Sequence, residues 1–238
     1  MKTRIASLCL FVLLVALCGC KHEPKRDIVL LLDTSKSITP DSVHDEFKFA
    51  ESLVDRMHRG DRLTIIPITG NAISETSGHV LYFIAPVHRE AYDQDLVVFR
   101  QQAHEQIHAM HDAAVAHPSS RTDILGALDV AKEAFDTDED RSGSKALILF
   151  SDFLEDDGTY RFVADRELAN DRSAELLAKK IQVERGLPTV GVRVYLGNLS
   201  SLDMGRLTFQ RQRAIRAFWN TCWGSAEISR AGLNGPAF

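Results

Sequence analysis

The sequence predicts an α/β fold in which a mainly parallel central sheet carries helices on both faces. Two uninterrupted apolar runs, at 27–33 and 145–151, are typical of parallel strands that are buried on both faces. Around them, segments with helical spacing of apolar residues alternate with further strand-like runs, which is the pattern of a helix-covered parallel sheet. The chain of 238 residues, 45% of them hydrophobic, is long enough for one sizeable core.

The chain up to residue 84 is predicted to contain three strands and one long helix. After the first strand, Thr39 and Pro40 indicate a helix start, because threonine caps helices and proline suits their first turn. One face of this helix carries the apolar residues Val43, Phe47, Ala50, Val54 and Met57. The other two strands are predicted at 63–68 and 80–84, separated by a turn-rich stretch.

The remainder of the chain continues the same alternation. Four segments have helical spacing, at 92–115, from near Thr122, at about 171–185 and from about 203 to 222. The first of these has an inward stripe made of Leu96, Phe99, Ala103, Ile107, Met110 and Ala114. Strands are predicted at 145–151 and 189–196. Because no repeat or long linker interrupts this pattern, residues 27–238 are predicted to form one domain.

Residues 1–19 are predicted to be an export signal that does not belong to the fold. Lys2 and Arg4 precede an apolar run that is too short to settle as a membrane-spanning helix. The run ends in Leu-Cys-Gly-Cys20, which resembles the bacterial lipobox, in which the final cysteine is lipidated and becomes the new N-terminus. Residues 20–26 would then be a lipidated tether. A plain signal peptide and an uncleaved anchor are the alternatives.

Cysteine usage points to a domain without internal disulfides. The sequence has 4 cysteines, of which Cys9 and Cys18 would leave with the signal and Cys20 would be lipidated. Cys222 alone remains, and a packed thiol near a helix end is the simplest interpretation. Pairing between two molecules is the minor alternative.

The residues with the clearest chemistry follow the two buried strands. Asp33, Ser35 and Ser37 form a DxSxS pattern on one tight loop, and Asp152 follows the other strand. Thr122 can add a hydroxyl from a loop that opens a helix. Since the carboxyl ends of parallel strands meet at one edge of a sheet, these oxygen atoms should converge there. Oxygen ligands suit a hard divalent cation, Mg²⁺ above all, with Mn²⁺ or Ca²⁺ possible.

These five residues, in this order, resemble the metal-ion-dependent adhesion site of the von Willebrand factor type A (vWA) family. The resemblance covers 27 to about 230 and implies a Rossmann-like vWA fold. It also implies that Ser35, Ser37 and Thr122 contact the metal directly, whereas Asp33 and Asp152 act mostly through water. An acidic side chain from a protein partner would complete the octahedron. Taken singly, each residue is equally consistent with an ordinary turn or helix cap.

One segment departs from the family pattern. Phe153 follows Asp152 where many relatives have a glycine, so the shape of the following loop is open. In that loop we expect Glu155 or Asp156 to be solvated and not to bind the metal.

A competing motif predicts a different class of protein. His104, Glu105 and His108 match HExxH, the helical arrangement in which two imidazoles bind zinc and the glutamate acts as general base of a metallopeptidase. His111 adds an imidazole one turn later. However, Ala103, Ile107 and Met110 occupy the predicted buried face of this helix, which leaves the histidines towards solvent. A zinc metallopeptidase is therefore the alternative function, and no enzymatic activity is the expectation.

Charge and motif content disfavour several other functions. The net charge is −5, and loss of Lys2 and Arg4 with the signal would make it more negative, which argues against a nucleic-acid-binding surface. The sequence contains neither a Walker loop nor a GxSxG nucleophile motif. A binding module is the class that remains.

The expected function is therefore a membrane-anchored, cation-dependent module for adhesion or assembly that binds a protein partner. Lys21 follows the lipidated cysteine, in place of the aspartate that retains many bacterial lipoproteins in the inner membrane. In a Gram-negative host this resemblance favours the outer membrane, with the domain facing the periplasm.

Overall fold

The computed structural model describes residues 25–75, 79–88, 93–137, 143–188, 190–199, 201–224 and 228–230. The predicted export signal, Cys20 and the tether up to residue 24 lie outside the described residues. None of the helices in the described ranges is long and apolar enough to cross a membrane.

The described strands form one sheet that is parallel except at one edge. The strands are β1 (Arg26–Asp33), β2 (Arg62–Ile68), β3 (Leu81–Ile84), β4 (Ser144–Ser151), β5 (Val192–Asn198) and β6 (Ile228–Arg230). Their order in the sheet is β3-β2-β1-β4-β5-β6, and only β3 runs antiparallel to its neighbour. The two strands with the longest apolar runs are therefore central and adjacent. The predicted mainly parallel sheet is confirmed.

Helices cover both faces of the sheet. They are α1 (Pro40–Asp55), α2 (Ala72–Glu75), α3 (Gln94–Ala116), α4 (Ile124–Asp136), α5 (Asp171–Arg185), α6 (Leu202–Arg206) and α7 (Phe209–Trp223). Side chains of β1 alternate between two cores. Leu30 packs with residues of α1 and α3, whereas Leu31 packs with residues of α4, α5 and α7. This alternation explains why β1 is apolar at every position from Ile28 to Leu32.

Local signals account for several helix boundaries. The Thr39 side chain accepts a hydrogen bond from Ser42 N at the start of α1, as the sequence predicted. At α4 the capping residue is Asp123, one residue beyond the predicted Thr122, and its side chain accepts from Gly126 N. Thr122 is thereby left outside the helix, where its hydroxyl is free of a capping role.

Two parts of the fold differ from the sequence prediction. The prediction of one last helix from about 203 to 222 was wrong, because this segment is divided into α6 and α7. The Thr208 side chain caps α7 by accepting a hydrogen bond from Arg211 N. The inward stripe of α3 is less buried than predicted, with only Ala103 and Ile107 fully buried among its described residues. Cys222 is buried in the core that includes Trp219 and Trp223, which confirms the packed-thiol interpretation.

The sheet order places the predicted site. β1 and β4 are adjacent and parallel, with Leu32 opposite Phe150, so their carboxyl ends lie side by side. Asp33 ends β1, and Asp152 follows the last residue of β4. Residues that are more than a hundred positions apart in sequence therefore meet at one edge of the sheet.

Candidate metal centre

Asp33 is the buried centre of the candidate site. Its side chain is fully buried at the end of β1. Oδ1 accepts a hydrogen bond from Ser35 N at 3.0 Å, and Oδ2 accepts one from Ser151 Oγ at 2.6 Å. These bonds fix the carboxylate between the end of β4 and the loop that carries the two serines.

The hydroxyls of Ser35 and Ser37 lie together, with 2.9 Å between their oxygen atoms. Two backbone hydrogen bonds hold the loop that carries them to Ser119. Lys36 N donates to Ser119 O at 2.8 Å, and Ser119 N donates to Thr34 O at 3.0 Å. The alternate residues of this turn therefore present two hydroxyls to the same side, as the DxSxS spacing predicts.

Thr122 lies on a loop that is bonded to both of the other loops of the site. Three residues before it, Ser119 pairs with the serine loop. Thr122 itself exchanges two backbone hydrogen bonds with Asp156, at 3.2 and 2.7 Å, on the segment that follows Asp152. Thr122 is nearly buried, at 5% exposure. The backbone thus carries the predicted third hydroxyl to the same rim of the sheet.

Asp152 has an oxygen atom available for a ligand. Oδ1 accepts from Leu154 N at 3.0 Å, whereas Oδ2 is buried and has no hydrogen-bond partner among the described residues. Burial raises the pKa of this carboxyl, and the nearby hydroxyls of Ser201 and Ser37 act in the opposite direction. An orphaned carboxylate oxygen beside two hydroxyls is the donor chemistry that a hard cation needs.

The two aspartates are electrostatically costly without a cation. Burial, together with repulsion from Asp152, raises the pKa of Asp33 to about 6, although hydrogen bonds from Ser151 and Ser35 lower it. Within the described part of the chain, neither aspartate has an ion pair with a lysine or arginine. A divalent cation bound at this rim would relieve the repulsion and lower both pKa values.

Glu46 is a third buried carboxyl near this rim, and the sequence analysis missed it. It is fully buried on α1, and neither of its oxygen atoms has a hydrogen-bond partner among the described residues. Burial and the negative charge of Asp33 raise its pKa well above the usual range. Its spacing in the sequence could have indicated this burial. Glu46 lies three residues after Val43 and four before Ala50, which places it on the apolar face of α1.

The loop after Asp152 contains a phenylalanine in a backbone conformation that glycine usually adopts. Phe153 has φ of 63°, a left-handed conformation that favours glycine. Two contacts hold it there: Phe153 N donates to Ser151 Oγ, and Trp219 Nε1 donates to Phe153 O, both at 2.9 Å. The ring also packs edge-on against Trp219. A packed phenylalanine is therefore held in a backbone conformation where glycine would be unstrained.

The expectation that Glu155 is solvated was wrong. Glu155 is fully buried, and its Oε2 accepts from the backbone N of Ile124 and Leu125 at 3.0 and 3.1 Å, at the start of α4. A helix N-terminus stabilises a carboxylate in this way because its first N–H groups lack partners within the helix. Asp156 is only partly buried and lies 3.5 Å from Arg161 Nε.

The HExxH residues lie on α3, where each imidazole faces an acid of α1. His104 Nε2 is 3.2 Å from Asp55 Oδ1, and His108 Nε2 is 3.1 Å from Glu51 Oε1. Glu105 accepts a hydrogen bond from Gln101 on the exposed side of the helix. These contacts give the two histidines a role in the packing of α1 against α3, and they do not support the zinc peptidase alternative.

No protein-family model matches the sequence, and no curated protein matches it. Several solved structures do. The pilus adhesin SpaC from Lactobacillus rhamnosus GG is 14% identical, with a TM-score of 0.52 over 89% of this chain and 28% of SpaC. The minor pilin PilB from Streptococcus sanguinis is 9% identical, with a TM-score of 0.51 over 89% of this chain and 58% of PilB.

A von Willebrand factor type A protein from Catenulispora acidiphila is 15% identical, with a TM-score of 0.40 over 84% of this chain and 42% of that protein. The chain spans less than two thirds of the length of each of these three neighbours. At such identities the likeness to SpaC and PilB shows the fold alone. The chain has a Rossmann-like α/β fold that it shares with SpaC and PilB, and the candidate metal centre lies at the carboxyl edge of its sheet.

Proposed function

We propose that this chain is a membrane-anchored module that captures a protein partner through a divalent cation at the carboxyl edge of its sheet. Asp33, Ser35, Ser37, Thr122 and Asp152 would hold the cation, with Mg²⁺ as the first choice and Mn²⁺ or Ca²⁺ as alternatives. The observation that carries the proposal is the meeting of two buried aspartates and the Ser35 and Ser37 hydroxyls at one rim.

The donor set favours recognition of a carboxylate. Two aspartates and three neutral hydroxyls offset a divalent charge only in part when the aspartates act through water. The cation then attracts an acidic side chain from outside, which completes an octahedral shell. The proposed ligands are all oxygen donors, which suit the binding of a hard cation.

The structural neighbours agree with such a role. SpaC is a pilus adhesin and PilB a minor pilin, so the same fold serves in surface proteins of adhesion and assembly. This likeness supports protein recognition as the general function. The acidic residue of the partner and the metal dependence are parts of the proposal that require their own test.

The test is cation-dependent capture by the full chain from an envelope extract. Ser35→Ala combined with Ser37→Ala removes two ligands, and we expect capture to fall on the order of 100-fold, about 2.7 kcal/mol. Ser42→Ala, which changes a partly exposed serine at the start of α1, is the matched control and should capture normally. Glu105→Ala should also capture normally. Capture that survives both the serine changes and excess chelator would remove the proposal.

The anchoring part of the proposal concerns Cys20, which follows Leu17-Cys18-Gly19 in the lipobox-like sequence. We expect the wild-type chain to take up labelled palmitate and to sediment with outer membranes. Cys20→Ser should abolish both the label and the sedimentation, because the acyl chains supply the membrane affinity. Cys222→Ser is the control, since that thiol is buried in the core. A Cys20→Ser chain that still carries the label would refute lipidation at this cysteine.

A further inference from the structure

We propose that Asp123, Glu155 and Asp157 form a second cation site, which takes a hard divalent ion such as Ca²⁺. It lies at the N-terminus of α4 and shares no ligand with the candidate metal centre. One carboxylate oxygen from each of the three residues lies within 4.8 Å of the others. Over the described ranges, no other group of three or more His, Cys, Asp or Glu side chains comes together in this way.

Glu155 is the residue that points to a ligand. It is fully buried, and only its Oε2 is occupied, by the backbone N of Ile124 and Leu125. Its Oε1 is buried without a hydrogen-bond partner among the described residues. A buried carboxylate oxygen is ordinarily satisfied, and an unsatisfied one requires an explanation such as an ion. The two neighbouring aspartates cannot donate a hydrogen bond to Glu155 while they are ionised. A cation is therefore the partner that would satisfy all three carboxylates.

The other two carboxylates are held in place by backbone donors. Asp123 Oδ1 accepts from Gly126 N at 2.7 Å, and its Oδ2 accepts from Ala72 N at 2.9 Å. Asp157 Oδ1 accepts from the N of Thr159 and Tyr160, at 2.7 and 2.6 Å. Each Asp123 oxygen has a second lone pair for an ion, whereas Asp157 Oδ1 already accepts two hydrogen bonds, so Asp157 would offer its Oδ2. Asp157 is only partly buried, which gives an ion a route from solvent.

The positive charges nearby do not neutralise the cluster. Arg185 interacts electrostatically with Asp123 and Glu155, but its guanidinium is ion-paired with Asp129 at 2.9 Å. The Arg121 guanidinium lies against Gly158 and forms no ion pair with the three carboxylates. The N-terminus of α4 contributes only about half a positive charge. An excess of negative charge remains.

Ca²⁺ fits this site better than Mg²⁺. Backbone hydrogen bonds fix the three carboxylates, which restricts their rearrangement around an ion. Ca²⁺ accepts irregular shells of six to eight oxygen atoms at about 2.3–2.6 Å, whereas Mg²⁺ demands a near-ideal octahedron. An ion here would connect α4, the loop after β4 and, through Asp123, the N-terminus of α2. It would therefore brace the two loops that carry Thr122 and Asp152.

The experiment is a Ca²⁺ titration of the full chain by calorimetry, in a Ser35→Ala/Ser37→Ala background that removes the candidate metal centre. We expect one Ca²⁺ to bind in this background and to raise the thermal midpoint. Adding Asp157→Asn should weaken binding at least tenfold, and adding Glu155→Gln should abolish it. Asp156→Asn, which removes a partly exposed carboxylate of the same loop, is the control and should bind normally.

Three outcomes would overturn the second site. The first is the absence of Ca²⁺ binding in the serine background. The second is Ca²⁺ binding that persists unchanged in the Asp157→Asn chain. This variant leaves the buried Glu155 in place, so a folding defect would not account for its result. The third is a Glu155→Gln chain that is more stable than its parent while the parent shows no response to Ca²⁺, since this would show that Glu155 is a buried neutral acid.

Discussion

An Asp33→Asn chain is expected to bind Mg²⁺ or Mn²⁺ at least 100-fold more weakly and yet to be more stable than the wild type in chelator. Asparagine has nearly the same shape: its Oδ1 can still accept from Ser35 N, and its Nδ2 can donate to Ser151 Oγ in place of the bond that Oδ2 accepted. It removes a charge that is fully buried and repelled by Asp152. Binding and stability should therefore change in opposite directions, which a merely structural residue would not produce. Calorimetric titration and chemical unfolding measure the two quantities.

Glu46→Gln is the matched control for this substitution. Glu46 is also a buried carboxyl close to Asp33, but it is not one of the proposed ligands. Its replacement by glutamine should raise the stability in chelator and leave cation affinity within about threefold. If Asp33→Asn and Glu46→Gln weakened cation binding equally, the loss would be due to the reduced negative charge near the rim and not to the loss of a ligand. The assignment of Asp33 as a ligand would then be wrong.

In chelator, the free energy of unfolding is expected to fall as the pH rises from about 4 to above 6. The pKa of Asp33 is raised from 3.8 to about 6, so the folded state binds the proton more tightly than the unfolded state does. The stability from this proton is complete below the unfolded pKa and is lost as the pH passes the folded pKa. The shift corresponds to about 3 kcal/mol for Asp33 alone.

A saturating divalent cation should reverse this dependence. Only the ionised carboxylate attracts the cation, so the increase in thermal midpoint caused by Mg²⁺ should be small near pH 4 and grow above about pH 6. The pH profile of the Asp33→Asn chain separates Asp33 from Asp152, Glu46 and Glu155, whose pKa values are raised as well. Identical profiles for wild type and Asp33→Asn would show that Asp33 does not titrate in this range.

The central strands and the rim were predictable because their signals are local. An apolar run such as that of β1 specifies a strand covered on both faces, and the sheet order then brings its terminal aspartate beside that of β4. The DxSxS spacing was sufficient to place Ser35 and Ser37 together, and their hydroxyl oxygen atoms lie 2.9 Å apart. The sequence pattern predicts these positions correctly because the direction of alternate side chains follows from the local backbone geometry.

The features that the sequence did not reveal depend on tertiary contacts. Glu155 lies in an acidic run that looks solvated, and it is buried only because the N-terminus of α4 packs against that segment. Glu46 is a charged residue within an apolar stripe, and composition alone favours exposure for such a residue. The break between α6 and α7 contains neither proline nor glycine, and it becomes evident only from the cap formed by Thr208.

The most direct measurement is the anomalous scattering of a crystal of the full chain grown with Mn²⁺. Our account places a manganese peak among the Ser35, Ser37 and Thr122 hydroxyls, with Asp33 and Asp152 in contact directly or through water. The peak should be absent from crystals of the Ser35→Ala/Ser37→Ala chain. Saturating Mn²⁺ with no density at this rim, or with density between His104 and His108 alone, would contradict the account.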